Sequence, residues 1–172
     1  MLNIILASKS KVRKNILEKN GIKCSVEPSN VDEDSVKVSL LNQGSSPELI
    51  SKNLAELKAN KISQKNNEKL VLGADSVIDL EGEIISKPTN RTDALRILKK
   101  LNGKKHYLIS SVCISKNGAM IWNYTDKAAL TMRKMTEEEL KLYLVKITDE
   151  NLYAYNVYQI EGEGSRLFSN IE

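Results

Sequence analysis

The chain has 172 residues, the size of about one domain. Hydrophobic residues make up 41% of it and charged residues 28%, as in ordinary soluble proteins, and no apolar run approaches the roughly 20 residues of a membrane helix. The first charged residues follow a short apolar run, whereas in a secretory signal they precede it. The two cysteines are too few for a disulfide framework or a Cys-based zinc site. These features predict a reducing, cytoplasmic environment.

The net charge of +4 is concentrated at the N-terminus. Residues 1–30 hold six lysines and arginines against two glutamates, so this segment alone accounts for the whole net charge. A basic first segment on a neutral body favours a local anionic ligand over a broad nucleic-acid surface. A solvated, lysine-rich helix face is the alternative.

Taken in chain order, the first half predicts strands alternating with helices. An apolar run is followed by a helix that ends at Asn20-Gly21, and Ser46 precedes Pro47 as an N-cap precedes a first-turn proline. The predicted elements are a strand over residues 2–7, a helix over 11–19, a strand over 22–26, a helix from 47 to about 62 and a strand over 70–78.

The second half predicts hairpins and two more helices. Glu81-Gly82 and Asn117-Gly118 are turn signals, and Thr136 with Glu139 forms a capping box. The predicted elements are a strand over 83–86, a helix over 92–101, strands over 106–115 and 119–133, and a helix over 136–145. Crossovers together with hairpins predict an α/β fold with a mixed sheet and flanking helices. No clear element is predicted after residue 153.

Two segments could carry chemistry. Ser8 and Ser10 lie between a strand end and a helix N-terminus, where backbone N–H groups, Arg13 and Lys14 could hold a phosphate; a simple helix cap is the alternative. Asp75 lies within an apolar strand, where a carboxylate must be paired, hydrogen-bonded or metal-bound, unless it makes a local turn bond.

Other polar residues give weaker signals. Lys58 lies on an amphipathic helix and Lys87 precedes a proline, and both residue types are usually solvated. Glu161 precedes a Gly-Glu-Gly run that could approach a ligand closely. The single histidine, His106, argues against a His-rich metal site and a Ser-His-Asp triad, and we expect it to make a structural hydrogen bond within a strand.

The chemistry available is therefore carboxylates with lysine and arginine. Carboxylates supply hard oxygen ligands for Mg²⁺ or Mn²⁺, and the cations neutralise phosphates. This combination is what phosphoryl chemistry on a nucleotide needs.

A series of short motifs, in order along the chain, resembles the Maf family of nucleoside triphosphate pyrophosphatases. Each motif is weak alone, and their common order carries the resemblance. They are residues 6–13 (LASKSKVR, family LASxSPRR), 31–33 (VDE), 54–59 (LAELKA, family LAxxKA), 73–77 (GADSV, family GADTV), 87–88 (KP), 101–106 (LNGKKH, family LSGRxH) and 158–162 (YQIEG, family YxIQG).

The resemblance implies a single domain over residues 1–172 that hydrolyses a nucleoside triphosphate to monophosphate and pyrophosphate with a divalent cation. It also implies two lobes around a cleft, as in inosine triphosphate pyrophosphatases, and a possible homodimer. The family is linked to removal of unusual nucleotides and to inhibition of septum formation.

Matched position by position, Asp75 is the family's proton acceptor, and Glu33 with Asp75 holds the metal. By the same match, Arg13, Lys58 and Lys87 would bind the triphosphate. Ser8 and Ser10 would belong to the loop that surrounds the phosphates.

Several positions depart from the family pattern. The motif's first arginine is Val12 here, so one cation is absent or supplied by Lys11 or Lys14. Glu161 replaces the glutamine of the pyrimidine-acting branch; an ionised glutamate only accepts hydrogen bonds, which suits guanine. This favours 7-methyl-GTP or another purine over dTTP and UTP.

The family also continues beyond the last residues here into a segment ending in GLPL, which implies a shortened chain or a natural loss.

Other functions are less well supported. A non-catalytic regulator of cell division that binds nucleotide or a partner protein is the alternative to an enzyme. Membership of the inosine triphosphate pyrophosphatase family is disfavoured because its N-terminal Thr-x-Asn-x-x-Lys pattern is missing. A nucleic-acid-binding role is the weakest, since the chain has one Phe and one Trp.

Overall fold

The computed structural model describes residues 3–160 and 162–172. The strands are β1 (Asn3–Leu6), β2 (Lys23–Val26), β3 (Val71–Leu80), β4 (Glu83–Ile85), β5 (Lys105–Lys116), β6 (Ala119–Met132) and β7 (Phe168–Ile171). The helices are α1 (Lys11–Lys19), α2 (Glu33–Asn42), α3 (Pro47–Ser63), α4 (Arg91–Leu101), α5 (Glu137–Val145) and α6 (Asp149–Tyr155), with a 3-10 helix at Glu163–Leu167.

The strands form a mixed sheet, which confirms the predicted α/β fold. Its order is β2-β1-β3-β5-β6-β7, and β4 pairs with β3. β1 is parallel to β2 and β3, as crossover helices require, whereas β3–β4 and β6–β7 are antiparallel. None of the described helices combines the length and apolar character needed to span a bilayer.

Most predicted elements are confirmed, and two helices were missed. α1 has the predicted bounds, Ser46 caps α3, and both halves of the capping box at Thr136 and Glu139 are formed. The sequence patterns predicted no element at α2 or α6, nor the strand β7. Both helices are short and polar, and each is capped by a residue that could have signalled it, Asp32 before α2 and Thr148 before α6.

The chain divides into two compact units. The first comprises residues 1–76 and 109–126, and the second comprises residues 77–108 and 127–172. The apolar core of the second unit joins α4, α5 and the strands around them through residues such as Leu98, Leu130 and Leu144. Within that unit Arg91 donates to Asp149 and to the carbonyl oxygens of Leu144 and Ile147, so it ties α4 to the junction of α5 and α6.

In the first unit, α3 lies directly against β3. A methyl group at Gly73 would come within 2.8 Å of the Ala59 backbone nitrogen and closer still to the Ala55 carbonyl oxygen. Only glycine permits this approach. The Ser51 hydroxyl adds a bond of 3.0 Å to the Asp75 carbonyl oxygen, so one face of α3 is fixed along β3.

The Gly73→Ala substitution should therefore destabilise the protein by roughly 2–3 kcal/mol or more, because the added methyl must push backbone away rather than a flexible side chain. Urea denaturation monitored by circular dichroism measures this change. Gly44→Ala is the control: Gly44 has φ +75° and nothing within 4 Å of an added methyl, so it carries only a backbone cost of about 1 kcal/mol. Equal stability of the two variants would contradict the close approach.

In the second unit, His106 is a buried neutral histidine. Its side chain has no solvent exposure and its Nε2 lies 3.0 Å from the Tyr158 hydroxyl, whereas Nδ1 has no hydrogen-bond partner in the part of the chain that the structure describes. The rings of Tyr158 and Phe168 pack within 6 Å of it. Burial lowers the pKa of His106 to about 4. The prediction of a structural hydrogen bond for this residue agrees with these contacts.

His106 has a pKa of about 6.5 in the unfolded chain and of about 4 in the folded protein. At a pH between these two values, His106 is protonated in the unfolded state and neutral in the folded state, so protons favour unfolding. His106 therefore stabilises the fold fully only above this window, and the contribution is lost as the pH falls through it. We expect a loss of about 2 kcal/mol on going from pH 7 to pH 5. Urea titrations at both pH values, repeated on His106→Gln, measure it. An identical pH effect in the variant would contradict the assignment.

Candidate active site

Asp75 is a buried carboxylate in the centre of β3. Its neighbours along the strand are small or apolar, and the residue is only 4% exposed. Oδ1 accepts a hydrogen bond of 2.9 Å from Lys58 Nζ, whereas the buried Oδ2 has no partner among the described residues. An acceptor-only oxygen buried without a donor is costly, which identifies this atom as a candidate contact for water, substrate or a cation.

Lys58 supplies the balancing charge from α3. It is 6% exposed, and Nζ donates to Asp75 Oδ1 and, at 3.2 Å, to the Ala74 carbonyl oxygen. The ammonium also pairs with Glu33 Oε1. Three acceptors thus match the three N–H donors of a lysine ammonium. The solvated helix face, which was the alternative for Lys58, is wrong because α3 lies so close to β3.

Glu33 is the first residue of α2. Asp32 precedes it as the N-cap, accepting from the Ser35 backbone nitrogen at 3.2 Å, and this starts the helix so that Glu33 contacts Lys58. The two carboxylates of Glu33 and Asp75 therefore share one ammonium. The sequence placed them far apart along the chain, and only the resemblance linked them.

Burial dominates the electrostatics of Asp75. Desolvation raises the pKa of this carboxyl above its usual value, although the positive charges of Lys58 and then Lys37 oppose the shift; the Glu33 charge adds to it. A carboxylate whose pKa is shifted upward is a better proton acceptor than an exposed one.

The loop between β1 and α1 brings a second cation to the same segment. Ser10 caps α1 by accepting from the Arg13 backbone nitrogen, and the buried Ser8 hydroxyl accepts from Arg13 Nη1 at 3.2 Å. Arg13 Nη1 also donates to the Ala74 carbonyl oxygen at 3.1 Å. Because Lys58 donates to the same carbonyl, Arg13 and Lys58 converge beside Asp75.

The structure thus brings Ser8, Arg13, Glu33, Lys58 and Asp75 together within the first unit, a grouping that only the family resemblance implied. The remaining predicted residues differ. Lys14 extends along α1 to Glu18, 3.8 Å away. Lys87 belongs to the second unit, after β4. Glu161 lies outside the described residues, so its predicted substrate contact stays a prediction.

The donor set also bears on a metal. The described part of the chain contains no group of three or more His, Cys, Asp or Glu side chains suited to a metal ion. Glu33 and Asp75 nevertheless form a carboxylate pair with one unsatisfied buried oxygen. Mg²⁺ is commonly bound by one or two carboxylates plus substrate phosphates, so these residues fit such an ion.

Comparison with known proteins agrees with the motifs. A sequence model of the family described as "Maf-like protein" matches residues 3–172. The "Nucleoside triphosphate pyrophosphatase" of Pelagibacter ubique is 73% identical over 98% of this chain and 87% of its own length. The "7-methyl-GTP pyrophosphatase" of Rhizobium etli is 34% identical over 98% of this chain and 85% of its own length.

A solved structure, that of the Staphylococcus aureus Ham1 protein, aligns with 78% of this chain and 72% of its own chain, with a TM-score of 0.47 and 16% identity. The family match covers almost every residue, including the segments that place Asp75, Lys58 and Glu33 together. The chain belongs to the Maf-like protein family.

Proposed function

We propose that this protein is a nucleoside triphosphate pyrophosphatase, which hydrolyses a nucleoside triphosphate to the monophosphate and pyrophosphate. The observation that carries the proposal is the buried Asp75 carboxylate with its unpartnered Oδ2, flanked by Lys58 and Arg13. Relatives with 73% and 38% identity bear the name of this activity. No observation favours the non-catalytic regulator over the enzyme.

In the proposed reaction, Asp75 accepts a proton from the attacking water. The water oxygen bonds to the α-phosphorus, the bond from that phosphorus to the α–β bridging oxygen breaks, and pyrophosphate leaves with the electron pair. The raised pKa of Asp75 suits this role, and water would displace no partner of Oδ2 among the described residues. Lys58 holds the carboxylate in place through Oδ1.

The cations of the site stabilise the negative charge that develops on the phosphates. Arg13 offers a planar fork of donors beside Ala74, with the Ser8 hydroxyl and the cap of α1 next to it. Ser10, Lys14, Lys87 and Glu161 are further substrate contacts in this proposal, on the strength of the family resemblance alone.

Glu33 and Asp75 would hold the divalent cation, Mg²⁺ or Mn²⁺, together with substrate phosphates. Such an ion, when bound, offsets phosphate charge and lowers the pKa of a water molecule. Glu33 contacts the Lys58 ammonium in the structure, so holding the ion would require this carboxylate to be shared with Lys58 or released from it.

The base preference is a finer part of the proposal. We favour 7-methyl-GTP or another guanine-type base over dTTP and UTP, because Glu161 offers only acceptors where pyrimidine-acting relatives have glutamine. Two 7-methyl-GTP pyrophosphatases from Rhizobium species share 34% and 35% identity with the chain. We further propose that residues 1–172 act as one catalytic domain in the cytoplasm and, as the family resemblance implies, as a homodimer, removing unusual nucleotides.

Asp75→Asn should reduce turnover by at least about a hundredfold, since the amide cannot accept the proton from water. The measurement is pyrophosphate release from a panel of dTTP, UTP, CTP, GTP, ITP and 7-methyl-GTP with Mg²⁺ or Mn²⁺. Asp79→Asn is the matched control on the same strand: Asp79 accepts from the Gly82 nitrogen at a turn, and asparagine keeps that acceptor.

Circular dichroism and thermal melting of Asp75→Asn establish that it folds. Turnover within a few fold of the wild type in this folded variant would remove Asp75 from the mechanism. Failure of the wild-type protein to release pyrophosphate from any triphosphate in the panel would contradict the proposed function itself.

A further inference from the structure

Lys37 lies on the face of α2 that the candidate site uses. Residues 33, 36, 37 and 40 are half-buried, while the residues between them on the opposite face are exposed. This i, i+3, i+4, i+7 spacing defines one helix face, and Glu33 on that face pairs with Lys58. Lys37, one turn after Glu33, is therefore carried on the same side as the Asp75 carboxylate.

The ammonium of Lys37 has no direct partner among the described residues. Within the described ranges no carboxylate lies within ion-pairing distance of its ammonium, and no hydrogen bond to it is formed. Lys14, the cation that the sequence analysis offered as a substitute for the missing arginine, instead pairs with Glu18. Electrostatic coupling between Lys37 and Asp75 agrees with the helix geometry in placing this charge near the site.

The charge balance of the site calls for such a cation. Lys58 is surrounded by two carboxylates, so its positive charge is already offset before any substrate binds. Among the described residues of β1, α1 and the loop between them, Arg13 is then the one cation that donates a hydrogen bond to the Ala74–Asp75 segment. A triphosphate carries several negative charges, and Lys37, which is half-buried and has no ion-pair partner among the described residues, suits such a ligand.

We propose that Lys37 binds the phosphate chain of the substrate and of the pyrophosphate product. This inference rests on the proposed function for the identity of the ligand. Lysine acts here as a point charge that α2 positions through the contact of Glu33 with Lys58. Its role is to bind phosphate and not to recognise the base.

The test compares Lys37→Gln with Lys65→Gln and Lys37→Arg in the full-length protein. Lys65 is an exposed lysine just after α3, so its substitution removes the same charge elsewhere in the first unit. Titration calorimetry with inorganic pyrophosphate and Mg²⁺ measures phosphate affinity without a base. Steady-state kinetics with the preferred triphosphate then separates KM from kcat.

We expect Lys37→Gln to weaken pyrophosphate binding roughly tenfold and to raise KM by a similar factor, with a smaller change in kcat. Lys37→Arg should retain most of the affinity, and Lys65→Gln should match the wild type. Unchanged melting temperatures exclude a structural origin of the effect.

Pyrophosphate affinity and KM of Lys37→Gln equal to those of Lys65→Gln would overturn the proposal and leave the proposed function intact. If no triphosphate is hydrolysed but pyrophosphate binds in a Lys37-dependent way, the reaction is wrong and the phosphate contact stands. Absence of pyrophosphate binding to a wild type that hydrolyses a triphosphate would overturn the Lys37 proposal alone.

Discussion

The burial of one lysine ammonium is the constraint on which the candidate site depends. Lys58 is almost fully enclosed, and removing a buried charge from water is costly unless every donor finds an acceptor. The Ala74 carbonyl and the Asp75 and Glu33 carboxylates provide those acceptors. Removing one partner of such a buried pair typically costs about 3–5 kcal/mol, so the arrangement is held strongly.

Elements from distant parts of the sequence meet because of this ammonium. Gly73 allows α3 to lie against β3, which puts Lys58 beside Asp75. α2 has no buried residue, so its polar contact through Glu33 contributes to its position. Arg13 reaches the same Ala74 carbonyl from α1. Two carboxylates, two cations and a serine hydroxyl are thereby gathered around the Ala74–Asp75 segment, an arrangement suited to a phosphorylated ligand and a divalent cation.

The sequence predicted most of the secondary structure because its signals are local. The Asn117-Gly118 turn has positive φ at both residues, and the cap residues Ser10, Ser46 and Thr136 accept the expected backbone bonds. α2 was missed because its apolar residues give a weak helical pattern. Asp32 was the available signal, since a cap residue followed by two acidic residues is typical of a helix start.

The site was less accessible from the sequence. Composition and strand pattern singled out Asp75, but residues 8, 13, 33, 58 and 75 are brought together by long-range packing that no local pattern reports. Lys58 even has the pattern of a solvated helix residue. The family resemblance supplied the grouping, and the contacts around Ala74 and Asp75 give its physical basis. Lys37 was absent from both sources and emerges only from the position of α2.

The central claim is that water attacks the α-phosphorus at a site built on Asp75. Hydrolysis of the preferred triphosphate in ¹⁸O-labelled water, followed by mass spectrometry of the products, tests it most directly. The account predicts one ¹⁸O atom in the nucleoside monophosphate and none in the pyrophosphate. Label in pyrophosphate, or release of inorganic phosphate with a nucleoside diphosphate, would show attack at a different phosphorus and contradict the account.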